Sequence, residues 1–226
     1  MLYKFCFSLA VISVFIIGCS PRPCPQSQSK PLGADKVSQK PGSVENEIPG
    51  VRFDPVVKQI EGWTVNIDPQ MLKGKHAAEG KKALDMLANH LQRIAILLPE
   101  KQLRQVRNLE IWIEHHHPRL GNMQYHPGVD WLKNNGHDPR LVKQVHVTRA
   151  KTLLSRHQMI KHPAVILHEL AHSYHDQVLG FDDPRIIKAY KNAMDKKLYD
   201  KALLYNGKEV RHYGATNHKE YFAEGT

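Results

Sequence analysis

Cysteine is nearly missing from this chain of 226 residues: it has three, Cys6, Cys19 and Cys24, and none beyond position 24. The rest of the sequence therefore holds neither disulfides nor thiolate metal ligands. Any metal there must be bound by His and carboxylate, which excludes a closed thiolate zinc site. Acid is in deficit too: 22 Asp and Glu against 32 Lys and Arg give a net charge of +10. Residues 1–18 carry Lys4 and no acid, so +9 belongs to residues 19–226. Such an excess favours acidic partners or an anionic surface. No Lys/Arg run interleaved with aromatics and no nucleic-acid motif occurs, so the basic residues read as a solvated surface with no nucleic-acid partner. No apolar run reaches the roughly 20 residues of a membrane-spanning helix. Aromatics make up 8% and apolar residues 41%, which suits one domain with one substantial core.

What is there begins with an export signal. Lys4 supplies the positive start and Phe5 to Ile17 the apolar centre of a signal peptide over residues 1–18. The run ends Ile16-Ile17-Gly18-Cys19-Ser20, which resembles the lipobox of bacterial lipoproteins. That resemblance implies cleavage before Cys19, lipidation of its thiol, and a membrane-anchored protein in the bacterial cell envelope, facing the periplasm or the exterior. An uncleaved anchor and ordinary signal cleavage are the alternatives. Several acyl chains on one residue, at about 0.8 kcal/mol per buried CH₂, hold firmly. Residues 19–50 hold six of the fourteen prolines, several Ser and Gln, and no aromatic residue. They cannot bury enough apolar area to fold and read as a disordered tether, with the folded domain spanning 51–226.

Within that domain, Trp63 to Ile67 and Leu109 to Ile113 alternate as strands, and His76 to Leu98 has helical apolar spacing closed by Pro99. His115, His116 and His117 follow the second strand. Neighbouring residues of an extended chain point to opposite faces, so the three cannot easily converge on one ion. Tyr125 to Gly136 reads as an extended piece ending in an Asn-Gly turn, and Val142 to Thr148 as an edge strand with His146 on its surface. Asp183 as N-cap and Pro184 at the first position open another helix. Asn206-Gly207 marks a hairpin between residues 199–205 and 208–213. The fold class expected is α+β, a small mixed sheet with helices.

Chemistry concentrates in Val165 to Asp176. Pro163 suits a first helical turn, Gly180 the residue past the end, and Val165, Ile166, Leu170 and Ala171 the apolar face. On that helix His168 and His172, four apart, project from one face and can share one metal ion, while Glu169 can polarise water without ligating. Fifteen histidines make a chance H-E-x-x-H easier than usual. His175 reads as a helix-surface residue, and Asp176 as either an outer acceptor for a ligating imidazole or plain surface. Near the other end a helix starting at Asn217 would set Glu220 and Glu224 on one face. A catalytic zinc takes three protein ligands and keeps one position open, and Glu220, 48 residues beyond His172, completes a His₂Glu set. Glu224 could accept the free N–H of a ligating imidazole, and Tyr213 could donate its phenol O–H to an oxyanion. Each has a plainer reading: Asn217-x-x-Glu220 is also a helix cap, Tyr213 could merely pack, and Glu224 could be solvated.

His168-Glu-Leu-Ala-His172, then Tyr213, six residues, and Glu220-Tyr-Phe-Ala-Glu224 resemble the catalytic core of the family of anthrax lethal factor and the secreted Pro-Pro endopeptidases. The resemblance spans His168 to Glu224. It implies a zincin-like metallopeptidase with one zinc per chain on His168, His172 and Glu220. It makes Glu169 the general base, Tyr213 the oxyanion stabiliser and Glu224 the outer acidic position, with a peptide or protein as substrate. Specificity for Pro-Pro bonds is not implied. The alternative is an envelope binding or assembly lipoprotein that keeps the zinc but has weak or no activity.

Overall fold

A hairpin starts the domain. Strand β1 (Val56–Ile60) returns as β2 (Trp63–Ile67) through Glu61-Gly62, both at positive φ, 51° and 91°. That pair of left-handed residues is the tight hairpin turn whose twist matches the strands. In β2, Trp63, Val65 and Ile67 are fully buried on one face. The chain then turns through Pro69–Met71 into helix α1 (Ala77–Leu97), close to the expected 76–98, and the short α2 (Glu100–Val106). Gly80 sits inside α1 because the helix passes over that turn: a Cβ there would stand 2.1 Å from the Met71 carbonyl oxygen. Avoiding that clash outweighs the roughly 0.5–1 kcal/mol that glycine costs a helix.

In this computed structural model the described residues are 50–226, so the expected signal segment, Cys19 and residues 19–49 of the expected tether lie outside them. The strands β3 (Ile111–Ile113), β4 (Gln124–Tyr125) and β5 (Val145–Val147) join the hairpin in one mixed sheet of order β1-β2-β3-β5-β4. The β2–β3 and β3–β5 pairs are parallel, while β4 runs antiparallel to β5. The expectation that Val142–Thr148 forms the edge is thereby corrected. Its ordered part, β5, is interior, and the two-residue β4 stands outside it. Pairing partners are set by non-local contacts, which one strand's alternation does not reveal.

The near face of the sheet (Val65, Ile67, Ile111, Ile113, Val145, Val147) packs on Leu87 and Leu91 of α1 and on Ile166 and Leu170 of helix α5 (Val165–Tyr174). Each such buried side chain contributes about 1.5–3 kcal/mol of apolar transfer. The far face carries a smaller cluster of Trp112, Leu132 and Leu141. Leu132 belongs to helix α3 (Val129–Asn134), which replaces the extended piece expected over 125–136; Gly136, at φ 61°, supplies the turn after it. Short helix α4 (Arg156–Lys161) precedes α5. Beyond α5 a π turn, His175–Leu179, carries the chain to Gly180 at φ 85°. Helix α6 (Pro184–Asp195) starts as expected, with Asp183 accepting from the Arg185 amide. A minimal hairpin of β6 (Ala202–Leu203) and β7 (Glu209–Val210) leads to the final helix α7 (His218–Glu224).

Candidate metal centre

Helix α5 presents His168 and His172 one turn apart, their Nε2 atoms 3.1 Å from each other. Helix α7 brings Glu220 against them. Its Oε2 stands 3.4 Å from His168 Nε2 and 3.3 Å from His172 Nε2. Asn217 caps α7 by accepting from the Lys219 and Glu220 amides with Oδ1. The cap uses the main chain of Glu220 and leaves its carboxylate free to face the imidazoles. The plainer reading of Asn217-x-x-Glu220 thus accounts for the cap and not for the acid.

Among the described residues, His168, His172 and Glu220 are the group of three whose donor atoms cluster tightly enough to hold a metal ion. Donor atoms about 2.0–2.1 Å from a tetrahedral ion stand roughly 3.3–3.4 Å apart; the two edges to Glu220 match this, and the edge between the imidazoles is shorter at 3.1 Å. Glu220 Oε2 is buried and has no hydrogen bond of acceptable geometry despite two imidazoles within reach. Its approach is right in distance and wrong in angle for N–H donation, as a shared ion between the three would require. On distance and donor set, these residues fit zinc.

Without a metal, the carboxylates and imidazoles here stabilise each other's charge. Burial disfavours the Glu220 anion, but the two imidazoles overcome this and hold its pKa down to about 2. Burial likewise opposes the His168 cation, and the Glu220 and Glu224 carboxylates beside it outweigh that, lifting the pKa to about 10. Glu224 Oε1 sits 3.1 Å from His168 Nδ1, behind the face that points to the centre. His212 closes this side: its Nδ1 accepts from the Gly214 amide, which leaves the proton on Nε2, 3.7 Å from Glu224 Oε2. Nothing in the local sequence singled out His212. Glu169 is almost fully buried, and that burial pushes its pKa up to about 7 against the pull of His168 and His172. Tyr213 is 58% exposed, and its pKa is raised by burial of the phenol and then by the charges of Glu220, Glu169 and Glu224. Those three acids are therefore its charged neighbours.

Three expectations need correction. Asp176 does not reach a ligating imidazole: it accepts from Tyr125 Oη at 2.6 Å and pairs with Lys143, because the π turn swings it toward β4 and β5. His175 is not on the surface. It is fully buried among Phe181 and Phe222, with neither ring nitrogen hydrogen-bonded, and burial lowers its pKa to about 4. His146 is also fully buried, on the far face of the sheet. The His115–His117 run disperses as expected: His115 faces Glu79, His116 is exposed, and His117 is buried under the far face. A cleft lined by Tyr174, Ile186, Tyr221 and Phe222 includes none of the candidate ligands, so the chemistry is not placed there.

Comparison with protein-family models, with curated proteins and with solved structures gave no match, so the functional argument rests on this geometry and the sequence.

Proposed function

We propose that this protein is an exported, lipid-anchored zinc metallopeptidase with a zincin-like domain, acting on peptide or protein substrates in the bacterial cell envelope. The observation that carries the reading is the triangle of His168, His172 and Glu220 with 3.1–3.4 Å edges, flanked by a buried carboxylic acid and an exposed phenol. His168, His172 and Glu220 would hold one zinc, and Glu224 would keep the His168 ring oriented through Nδ1. Zinc bound there supplies a Lewis acid that polarises a carbonyl and makes water more acidic.

The remaining work belongs to the chain. Glu169, with its pKa near 7, is suited to take a proton from the attacking water and return it to the departing amine. Tyr213 keeps its proton at neutral pH and donates its O–H to the oxygen on which charge develops. The outer strand β4 lies next to α5 and has one unpaired side among the described residues. An extended peptide could add to it as a further strand, which is the role expected of Val142–Thr148 and now assigned to β4.

The test is zinc content of the purified protein together with cleavage of a mixed peptide library by the wild type and by Glu169→Gln. One zinc per chain and cleavage abolished by Glu169→Gln with zinc retained support the reading. Zinc bound without cleavage favours the envelope binding lipoprotein instead.

A further inference from the structure

The two-residue strand β4 and the residue after it are held by polar side chains on both faces of the sheet. On the α5 side, Tyr125 Oη donates to Asp176, and Lys143 Nζ reaches the same carboxylate oxygen. Gln177 then bonds both the Lys143 carbonyl and Ser173 Oγ of α5. On the far side a second chain of bonds ends on His126. Arg52 donates to Glu114, Glu114 Oε1 accepts from His146 Nε2 at 3.1 Å, and His146 Nδ1 is left to accept from His126 Nε2 at 3.1 Å. The tautomers follow from the acceptor at the head of the chain, since a carboxylate can only accept.

Two features make this more than ordinary packing. Glu114, His146 and His126 are all at most 3% exposed, and buried polar side chains are a costly way to fill a sheet face that apolar residues would stabilise as well. Lys143 also has φ 62°, a left-handed conformation rare for a side chain of its kind, and is kept there by its amide bonding the His126 carbonyl at 2.7 Å. Strained backbone and buried polar chains converge on three consecutive residues, Gln124 to His126, which two ladder pairs could not hold alone. Those residues lie on the strand that packs against α5, the helix that carries the candidate base.

We propose that Lys143, Asp176 and Tyr125, backed by the His126–His146–Glu114 chain, are positioning residues that hold β4 as a template for an extended peptide beside Glu169. This rests on the peptidase reading, and it assigns Asp176 and Lys143 to substrate alignment rather than to the metal.

The experiment uses zinc-loaded protein with Asp176→Asn, Lys143→Gly and Lys143→Arg. Amide exchange over residues 124–126 should quicken by about tenfold or more in Asp176→Asn and Lys143→Gly, with α5 unchanged, because the local opening is no longer restrained. Lys143→Gly relieves the positive φ and keeps the melting temperature, so a merely structural role predicts no functional loss from it. The template role predicts KM raised about tenfold with kcat nearly unchanged in both, and recovery in Lys143→Arg, since alignment contacts are shared by ground and transition states. Zinc stoichiometry should not move in any variant. Unchanged exchange overturns the clamp, and faster exchange with unchanged KM in a working enzyme overturns the template role. If the wild type cleaves nothing, the peptidase reading and the template role fall together, while exchange still decides the clamp.

Discussion

At the scale of single residues, the site separates groups that would hold an ion from groups that would move protons. His168, His172 and Glu220 form the triangle, and Glu224 stands behind His168. Glu224→Ala should weaken zinc affinity by about 10–100-fold without removing a ligand, measured by competition with a chelator. Glu169→Gln should keep zinc and lower kcat by about 10²–10⁴-fold, as loss of a general base does. His168, Glu169 and His172 were legible in the sequence because a helix repeats every 3.6 residues and the spacing alone fixes their common face. Glu220 was legible only as a candidate, since its pattern served a helix cap equally well; the cap turned out to use its amide and not its acid. Asp176, His146 and His175 were misread for one reason. Periodicity tells which face a side chain shares, but not which distant element will cover that face.

At the scale of elements, α7 carries the third candidate ligand on only seven residues. So short a helix does not persist alone and depends on its cap and its packing. Asn217→Ala should therefore cost about 1 kcal/mol of stability and also loosen zinc binding, because the lost bond anchors the Glu220 amide itself. Helix α1 offers a control at the opposite end of the core. Alanine is the better helix former, yet Gly80→Ala should destabilise by about 1–3 kcal/mol in urea, since its methyl would meet the Met71 carbonyl. The long α1, the β2 strand and the α6 start were readable from apolar period and caps. The order of strands was not, and so the edge passed from β5 to β4: pairing joins segments far apart in sequence. Helix α3 was missed because the Asn-Gly turn after it outweighed a short six-residue helix signal.

At the scale of the whole molecule, burial of histidines makes stability depend on pH in two opposed ways. Burial depresses His126 to about 3 and both His117 and His175 to about 4. The unfolded chain takes up protons near 6.5 and the native one does not, so this contribution is intact above 6.5 and is lost progressively as pH falls toward those values. In metal-free protein His168 is lifted to about 10, so its contribution is full below 6.5 and is lost as pH rises through 10. Denaturant unfolding of metal-free protein should give a stability maximum near neutral pH with loss on both sides. Zinc should remove the alkaline loss, since an imidazole bound to a metal carries no proton at that nitrogen in either limb. The described residues all belong to one compact unit.

In the proposed site a carboxylate from α7 would join two imidazoles of α5 on one divalent ion. Zinc titration of the wild type beside Glu220→Ala tests it most directly. One tight zinc per wild-type chain is expected, with an affinity lower by more than about a hundredfold in the variant, beyond what loss of an outer partner gives. Equal affinity in the two folded proteins, or no stoichiometric zinc in the wild type, would contradict it.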